Sequence, residues 1–594
     1  MTDRASDRPI GLPIYAGAMH YWRVEPAAWP ACLRALRDLG FTLVDTLVPW
    51  REHEPARGEH DWRGARDLSR FLVAARAAGL GVVLRPGPSC GGDLAGFGVP
   101  DWVLAEPACQ ALTSRGTPAW LPFSPRAFPI PSYASAPFQA HVRAWFAAVA
   151  AVVQPHLPPD GPIVAIALGG ADPHALRGGA FDLDYHPAAL AWWAEDAGDL
   201  APPRAWDAAR AGDCARWVRF GERYLARAHA DFARMLDDIG LGGVARIAGT
   251  PVVNVARAKL PSLRRRRGEA IEIAGFGVSP WLPPLDAPGE RDGERERDQL
   301  LTLLAGGARG FSLSMAVERD RHLGAAIDRT GRIEPHAAWL KPLLAALADV
   351  DWPSLRRAAP IAVIAPRADD AFALASGPLA PISPAVTGAL GLELGGEPDA
   401  ALARRWFTAV CSALELAQVA YAIVDGAADL AAYRAVIAPT LHRIEQRTWD
   451  ALCARAEPRR VVVIGPHTPT RDEFDRPLTG ALRRAGHLQP ESLDDLAGLA
   501  ADLAALAGDD HESSTWRVDA PAGVHTAVFC DDAGTARVVF AISDAPESRS
   551  VALVADAATR FVRDLLTGEV FPVRGRRVTV AVRGIRMLGP VAAP

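Results

Sequence analysis

The sequence has almost no lysine: of 64 basic side chains only Lys259 and Lys341 are lysine, the rest arginine. With alanine also heavily used, this is a bias of composition, so an alanine at any one position is weak evidence of selection for alanine. Net charge is small as well. A formal −5 over 594 residues provides no field to attract nucleic acid or an anionic membrane. The basic run Arg264-Arg265-Arg266-Arg267 is short enough to be a solvated face. No apolar run approaches the ~18 residues of a membrane span. The stretch MTDRASDRPIGLPIY has no apolar signal core, so a cytoplasmic protein with neither membrane nor nucleic-acid partner is expected. The seven cysteines are scattered, odd in number and without a CxxC pair, which argues against a disulfide framework or a zinc ribbon. No His/Asp/Glu cluster has metal-ligand spacing, so no metal is expected. Neither GxGxxG nor a P-loop occurs, so no nucleotide cofactor is expected either.

The residues that are present alternate in pattern. The chain is too long for one core, so several domains are expected. Over the first 350 residues short apolar runs alternate with helical segments. Strands are predicted at Ile14–His20, Thr42–Val48, Leu80–Leu84, Ile163–Leu168, Arg246–Ala248, Ala270–Ile273 and Gly310–Met315, and helices at Glu25–Leu39 and Ala65–Ala78. This alternation predicts an α/β (β/α)8 TIM barrel over 1–352, with one strand not recognised. The buried-type runs Ile361–Ile364, Tyr421–Val424, Ala435–Ile437 and Val461–Ile464, separated by helical segments, predict a small doubly wound, flavodoxin-like α/β domain over 353–493. That unit is assigned to packing or to formation of a homo-oligomer. A linker or helix over 494–515 precedes strands without helical spacing, read as a C-terminal β-sandwich over 516–594.

Three blocks stand at strand ends. Ala18-Met19-His20-Tyr21 closes the first. Leu47-Val48-Pro49-Trp50 and His53-Glu54-Pro55 close the second. Leu84-Arg85-Pro86-Gly87-Pro88 closes the third. In order and spacing they resemble the HY, VPW…HEP and RPGP blocks of family 35 glycoside hydrolases, the β-galactosidases. Asp160–Ala165, Phe181–Pro187, Met315–Arg321 and Ile327–Gly331 extend the resemblance to a divergent bacterial branch. It implies the barrel with its accessory domains, a β-galactoside or related carbohydrate as ligand, and no cofactor.

The chemistry of that family needs two carboxyl groups roughly 5–5.5 Å apart, one to protonate the leaving oxygen and one to attack the anomeric carbon. The resemblance places an asparagine and then the acid/base glutamate at the end of the fourth strand. Gly170 and Ala171 stand there, and neither can donate a proton. It also places an amide and a sugar-binding glutamate after RPGP. Here Gly91 lacks the amide and Asp93 is one methylene shorter. Tyr21, Glu54 and Glu318 complete the implied substrate-binding set. The nucleophile aligns in two ways. Either Glu272 carries it on strand seven, or Ile271–Val278 is strand six and the glutamate is lost. Asp172 is a candidate surrogate acid or a loop aspartate, and Asp182, Asp184 and His186 lie on the next loop. Two readings follow. One is a pseudoenzyme, binding sugar or serving as a partner subunit. The other is an active retaining glycosidase with Glu272 as nucleophile and its acid relocated to Asp172 or a loop carboxylate.

Overall fold

The computed structural model of the chain describes residues 14–91, 94–122, 126–168, 172–176, 179–248, 274–276, 293–320, 325–377, 398–424, 429–455, 461–482, 487–488, 496, 498–502, 516–521, 523–543 and 545–591. Seven parallel strands form the first sheet: β1 (Tyr15–Ala18), β2 (Leu43–Leu47), β3 (Gly81–Arg85), β4 (Ile163–Leu168), β5 (Ala245–Ala248), β6 (Ala274–Phe276) and β7 (Phe311–Leu313), in the order β5-β4-β3-β2-β1-β7-β6. The last strand returns to the first, with Tyr15 opposite Phe311 and Gly17 opposite Leu313. This is TIM-barrel topology. The run expected as a strand at Ala270–Ile273 lies outside the described residues, as does all of 249–273, the interval in which a further barrel strand would fall.

The strands form because their residues are apolar on both faces. Val82, Val83 and Leu84 are all buried, as a sheet covered on one side by helices and on the other by its own lumen requires. Gly17 permits the closest covering: a Cβ there would come within 2.5 Å of Leu36 Cδ2 on the helix Trp29–Leu39. That helix begins later than the sequence pattern from Glu25 predicts. Pro30 sits in its first turn, and its ring would clash with the carbonyl four residues earlier if the helix ran through. It ends at Gly40, whose φ of 103° is left-handed. The helix Leu68–Ala77 is capped by Asp67, which accepts from the Arg70 amide at 2.9 Å.

Beyond the barrel, five parallel strands lie in the order Tyr421–Val424, Ile361–Ile364, Ala435–Thr440, Val461–Pro466, His487–Leu488. The C-terminal sheets are antiparallel, one of six strands and one of three, with Val539, Val551, Val580 and Leu588 buried together in one cluster. The edge strand Arg356–Arg357 of the six-stranded sheet comes from the segment that leaves the barrel, pairing with Phe529–Cys530. Trp352 locks this sheet to the barrel: its ring lies 4.5 Å from Phe529, and its indole N–H donates to the Ala308 carbonyl at 2.9 Å. Among the described residues no helix is long and apolar enough to cross a membrane.

Candidate active site

Tyr21, Glu54, Asp172 and Glu318 follow β1, β2, β4 and β7 in the chain, and loops at the carboxyl ends of the strands build the sites of this architecture. Tyr21 follows β1 in a single turn, Tyr21–Arg23. It is fully buried, stacked on Phe71, with its hydroxyl 2.6 Å from His53 Nε2. His53 Nδ1 lies 2.9 Å from the Asp61 carbonyl. A carbonyl can only accept, so the proton is on Nδ1, and Nε2 accepts from the tyrosine. Glu54 is buried as well. Its carboxylate accepts from Trp50 Nε1 at 2.6 Å and from the Gly58 amide at 2.7 Å, closing the turn after β2.

Burial holds His53 down to about 4, against roughly 6.5 in an unfolded chain. As pH falls the unfolded chain therefore takes up the proton first. The stability contributed by a neutral His53 is full above pH ~6.5 and is lost progressively down to pH ~4, by about 3 kcal/mol. Thermal unfolding followed from pH 7 to pH 4 should show this loss. His53→Gln should make the pH dependence shallower over the same window, and an unchanged slope would contradict the assignment.

Inside the barrel, Arg85 on β3 makes a two-pronged pair with Asp45 on β2, at 2.7 and 2.8 Å. Ser312 on β7 donates to the same carboxylate at 2.7 Å. These groups satisfy one another across three strands and fix the lumen.

The end of β4 is the centre of the question. Gly170 and Ala171, like Asp93 and Glu272, lie outside the described residues. Asp172 lies within them and is buried. Its Oδ1 accepts from the His174 amide at 2.9 Å and its Oδ2 lies 3.2 Å from His229 Nε2. The Tyr133 hydroxyl lies 3.0 Å from Ser89 Oγ, and burial and then the Asp172 charge hold it well above the ordinary tyrosine range. Burial alone would push this carboxyl up, but the His229 hydrogen bond and the His174 side chain and amide outweigh it and hold it below the usual carboxylate range.

Asp184 is spent in a similar way, accepting from Ser132 Oγ at 2.6 Å, Tyr224 OH at 2.9 Å and the Leu112 and His186 amides. Asp182 accepts from the Gly179 amide. His186 caps the helix Pro187–Ala197. Glu318 is half-buried beyond β7, where its amide donates to the Ile327 carbonyl at 2.7 Å. Among the described residues no hydrogen bond or ion pair joins Tyr21, Glu54, Asp172 and Glu318. Tyr21, Glu54 and Asp172 are each held by separate partners.

A cavity of about 210 Å³ lies between the 179–184 loop, the helix Ala211–Leu236 and Leu374. Its walls are mainly Trp217, Phe220, Leu183 and Leu225, and its polar groups are occupied: Trp217 donates to the Ala180 carbonyl and Tyr224 to Asp184. Tyr133, near Asp172, and His229, its partner, were not foreseen from the sequence. One sits before the helix Ala136–Val153 and the other deep within Ala211–Leu236, and neither stands in a motif.

Residues 11–168 match the model of glycosyl hydrolases family 35. The chain is 42% identical over 102 residues to the human beta-galactosidase-1-like protein 3, covering 17% of this chain and 16% of that protein. It is 33% identical over 164 residues to the exo-beta-D-glucosaminidase of Thermococcus kodakarensis, covering 26% and 20%. The aligned stretch thus spans about a sixth to a fifth of these relatives. In three dimensions the chain superposes on the beta-galactosidase of Bacillus circulans sp. alkalophilus with a TM-score of 0.70 at 14% identity, over 98% of this chain and 99% of that one. That likeness establishes the shared fold, barrel and accessory domains together. The block of strands β1 to β4 that carries the HY, VPW…HEP and RPGP sequences is thus the part of the chain that is similar to glycosyl hydrolases family 35.

Proposed function

We propose that this protein binds a β-galactoside or a related sugar at its barrel mouth and has lost the general-acid half of glycoside hydrolysis. The observation that carries this reading is the end of β4. The strand runs apolar to Leu168 and continues as Gly169-Gly170-Ala171, hydrogen and methyl where a proton donor is needed. The next carboxyl group does not replace it. A general acid must be protonated near working pH, which enzymes achieve by leaving a buried carboxyl poorly partnered. Asp172 is buried but well partnered, and it is held in the ionised form. Asp182 and Asp184 are occupied by backbone and hydroxyl donors.

The competing reading, hydrolysis with Asp172 as relocated acid, draws on its neighbour His229 at 3.2 Å. It also needs Glu272 as nucleophile. Glu272 precedes β6 in the chain, whereas acting side chains in a barrel come from the carboxyl ends of strands. We assign Tyr21 and Glu54 to holding the mouth, and Asp93 and Glu318 to the sugar. Seven free cysteines support a reducing, cytoplasmic setting. Leu374, Leu402 and Leu416, exposed on the α/β unit, support self-association there.

The relatives bear galactosidase and glucosaminidase names, so the test uses both sugars. Calorimetric titration with galactose and glucosamine should show saturable binding of one of them. An aryl β-glycoside of that sugar should be turned over slowly or not at all, and any turnover should yield glycosyl azide when azide is added. Absence of binding to either sugar, or disaccharide hydrolysis at ordinary enzymatic rates, overturns the reading.

A further inference from the structure

We propose that Glu106, Cys109 and His141 form a zinc site that staples the segment after β3 to the helix Ala136–Val153. The three side chains come from two elements, the turn Pro107–Cys109 with its leading Glu106 and the first turns of the helix. One ligand atom from each lies within 4.8 Å of the other two. Glu106 Oε2 is 2.9 Å from His141 Nε2, the contact that two such ligands make when no ion separates them. Cys109 is fully buried, and its thiol donates no hydrogen bond among the described residues. Cys32, Cys90 and Cys214 all direct theirs at backbone carbonyls.

The donor set selects the metal. Thiolate and imidazole with one carboxylate suit zinc and not magnesium or calcium, which take oxygen ligands. Tetrahedral zinc, with ligand bonds of 2.0–2.3 Å, sets its ligands about 3.3–3.8 Å apart. The Glu106–His141 contact therefore has to open to that spacing, with the sulfur already within 4.8 Å of both. Glu106 has a side chain 36% exposed, which leaves solvent access for a water as fourth ligand.

The scaffold is set. The Cys109 amide donates to the Glu106 carbonyl at 2.9 Å, and the edge of Trp102 meets the His141 ring at 5.1 Å. Burial and the Glu106 charge push the Cys109 thiol up to about 12, so it carries its proton until metal arrives. Zinc binding then forms the Zn–S bond, breaks the S–H bond and releases one proton to solvent, with no change of oxidation state. The Cys109 carbonyl accepts from the Ser132 amide at 2.8 Å, and Ser132 precedes Tyr133, the partner of Asp172. The staple therefore stands at the base of the segment that reaches the barrel mouth, and it does not depend on whether the barrel hydrolyses or only binds.

The test uses the full chain, stripped with EDTA and titrated with zinc against a chromophoric chelator, and with cobalt followed by absorbance. Expected are one zinc per chain, a thiolate-to-cobalt charge-transfer band in the near ultraviolet, and a melting temperature that rises with zinc. Cys109→Ser should abolish the band and weaken zinc binding about 100-fold or more, beyond what loss of an outer partner costs. If Cys109→Ser does not fold, His141→Gln carries the same expectation for affinity. Zinc uptake unaltered by either substitution, a cobalt spectrum without a sulfur band, or no uptake by the intact chain would leave an ordinary Glu–His pair packed on a core cysteine and overturn the proposal.

Discussion

Lactose should be hydrolysed at least about 10²- to 10⁴-fold more slowly than by a retaining glycosidase that keeps both carboxyls, which is the range that positioned acid–base catalysis contributes. In free energy this is about 3–5.5 kcal/mol of lost transition-state stabilisation. The loss depends on the leaving group. The sugar alkoxide expelled from lactose is a strong base and departs only as it is protonated. A nitrophenolate departs as a stable anion and needs no donor. A series of aryl β-galactosides with phenols of rising basicity should therefore show a rate that falls steeply along the series, with lactose at the slow end. The slope follows because the sequence after β4 offers Gly170 and Ala171 where a proton donor is needed. A flat series together with lactose turnover in the ordinary range of about 1–10³ s⁻¹ would mean that a proton donor reaches the leaving oxygen from elsewhere in the mouth.

What the sequence makes legible and what it hides divide along a physical line. Strands buried on both faces appear as mainly apolar runs, so β1, β3 and β4 are readable from Ala16, Val82 and Ile166, and β2 from Leu43 and Val44 in spite of Asp45. The blocks that end them are readable because they are contiguous. The start of the first helix is not, since Pro26 and Pro30 are both compatible with a first turn and only the clash across four residues decides between them. The strand Arg356–Arg357 is two charged residues long. It exists because its backbone completes the edge of a sheet whose partner, Phe529–Cys530, lies far along the chain, and no local pattern encodes that. The same holds at the site. An absent glutamate at Ala171 is visible in one dimension, but the state of Asp172 is not. It is set by burial, by His229 dozens of residues further along the chain and by His174 in the loop itself, and charge state depends on such neighbours more than on residue type. The Glu106, Cys109 and His141 cluster was hidden for the same reason. The spacing from Cys109 to His141 matches no ligand motif, and only the packing of a helix on a turn brings them together.

Asp172→Asn should separate the two remaining readings of the β4 loop, because they predict losses in different quantities. If Asp172 is an ionised carboxylate that anchors the loop, the amide keeps its size but surrenders its charge. It leaves the His174 amide and His229 facing an NH2 or a weaker acceptor. Hydrogen bonds to a charged group contribute about 1.5–3 kcal/mol, so the melting temperature should fall near neutral pH. The difference from the unsubstituted chain should vanish in acid. The folded carboxyl titrates below its unfolded value of about 3.9, so its contribution is present above that pH and lost as pH falls through the lower, folded value. Any residual turnover of an activated aryl glycoside, expressed per folded molecule, should not change. A donor role predicts the reverse. Turnover of poor leaving groups would drop by about 10²–10⁴-fold and the alkaline limb of the pH–rate profile would disappear, whatever happened to the melting temperature. Lower stability with unchanged kinetics assigns Asp172 to the scaffold. A collapse of activity on alkyl glycosides alone would make it the acid, and the chain would then be a working glycosidase with a displaced proton donor.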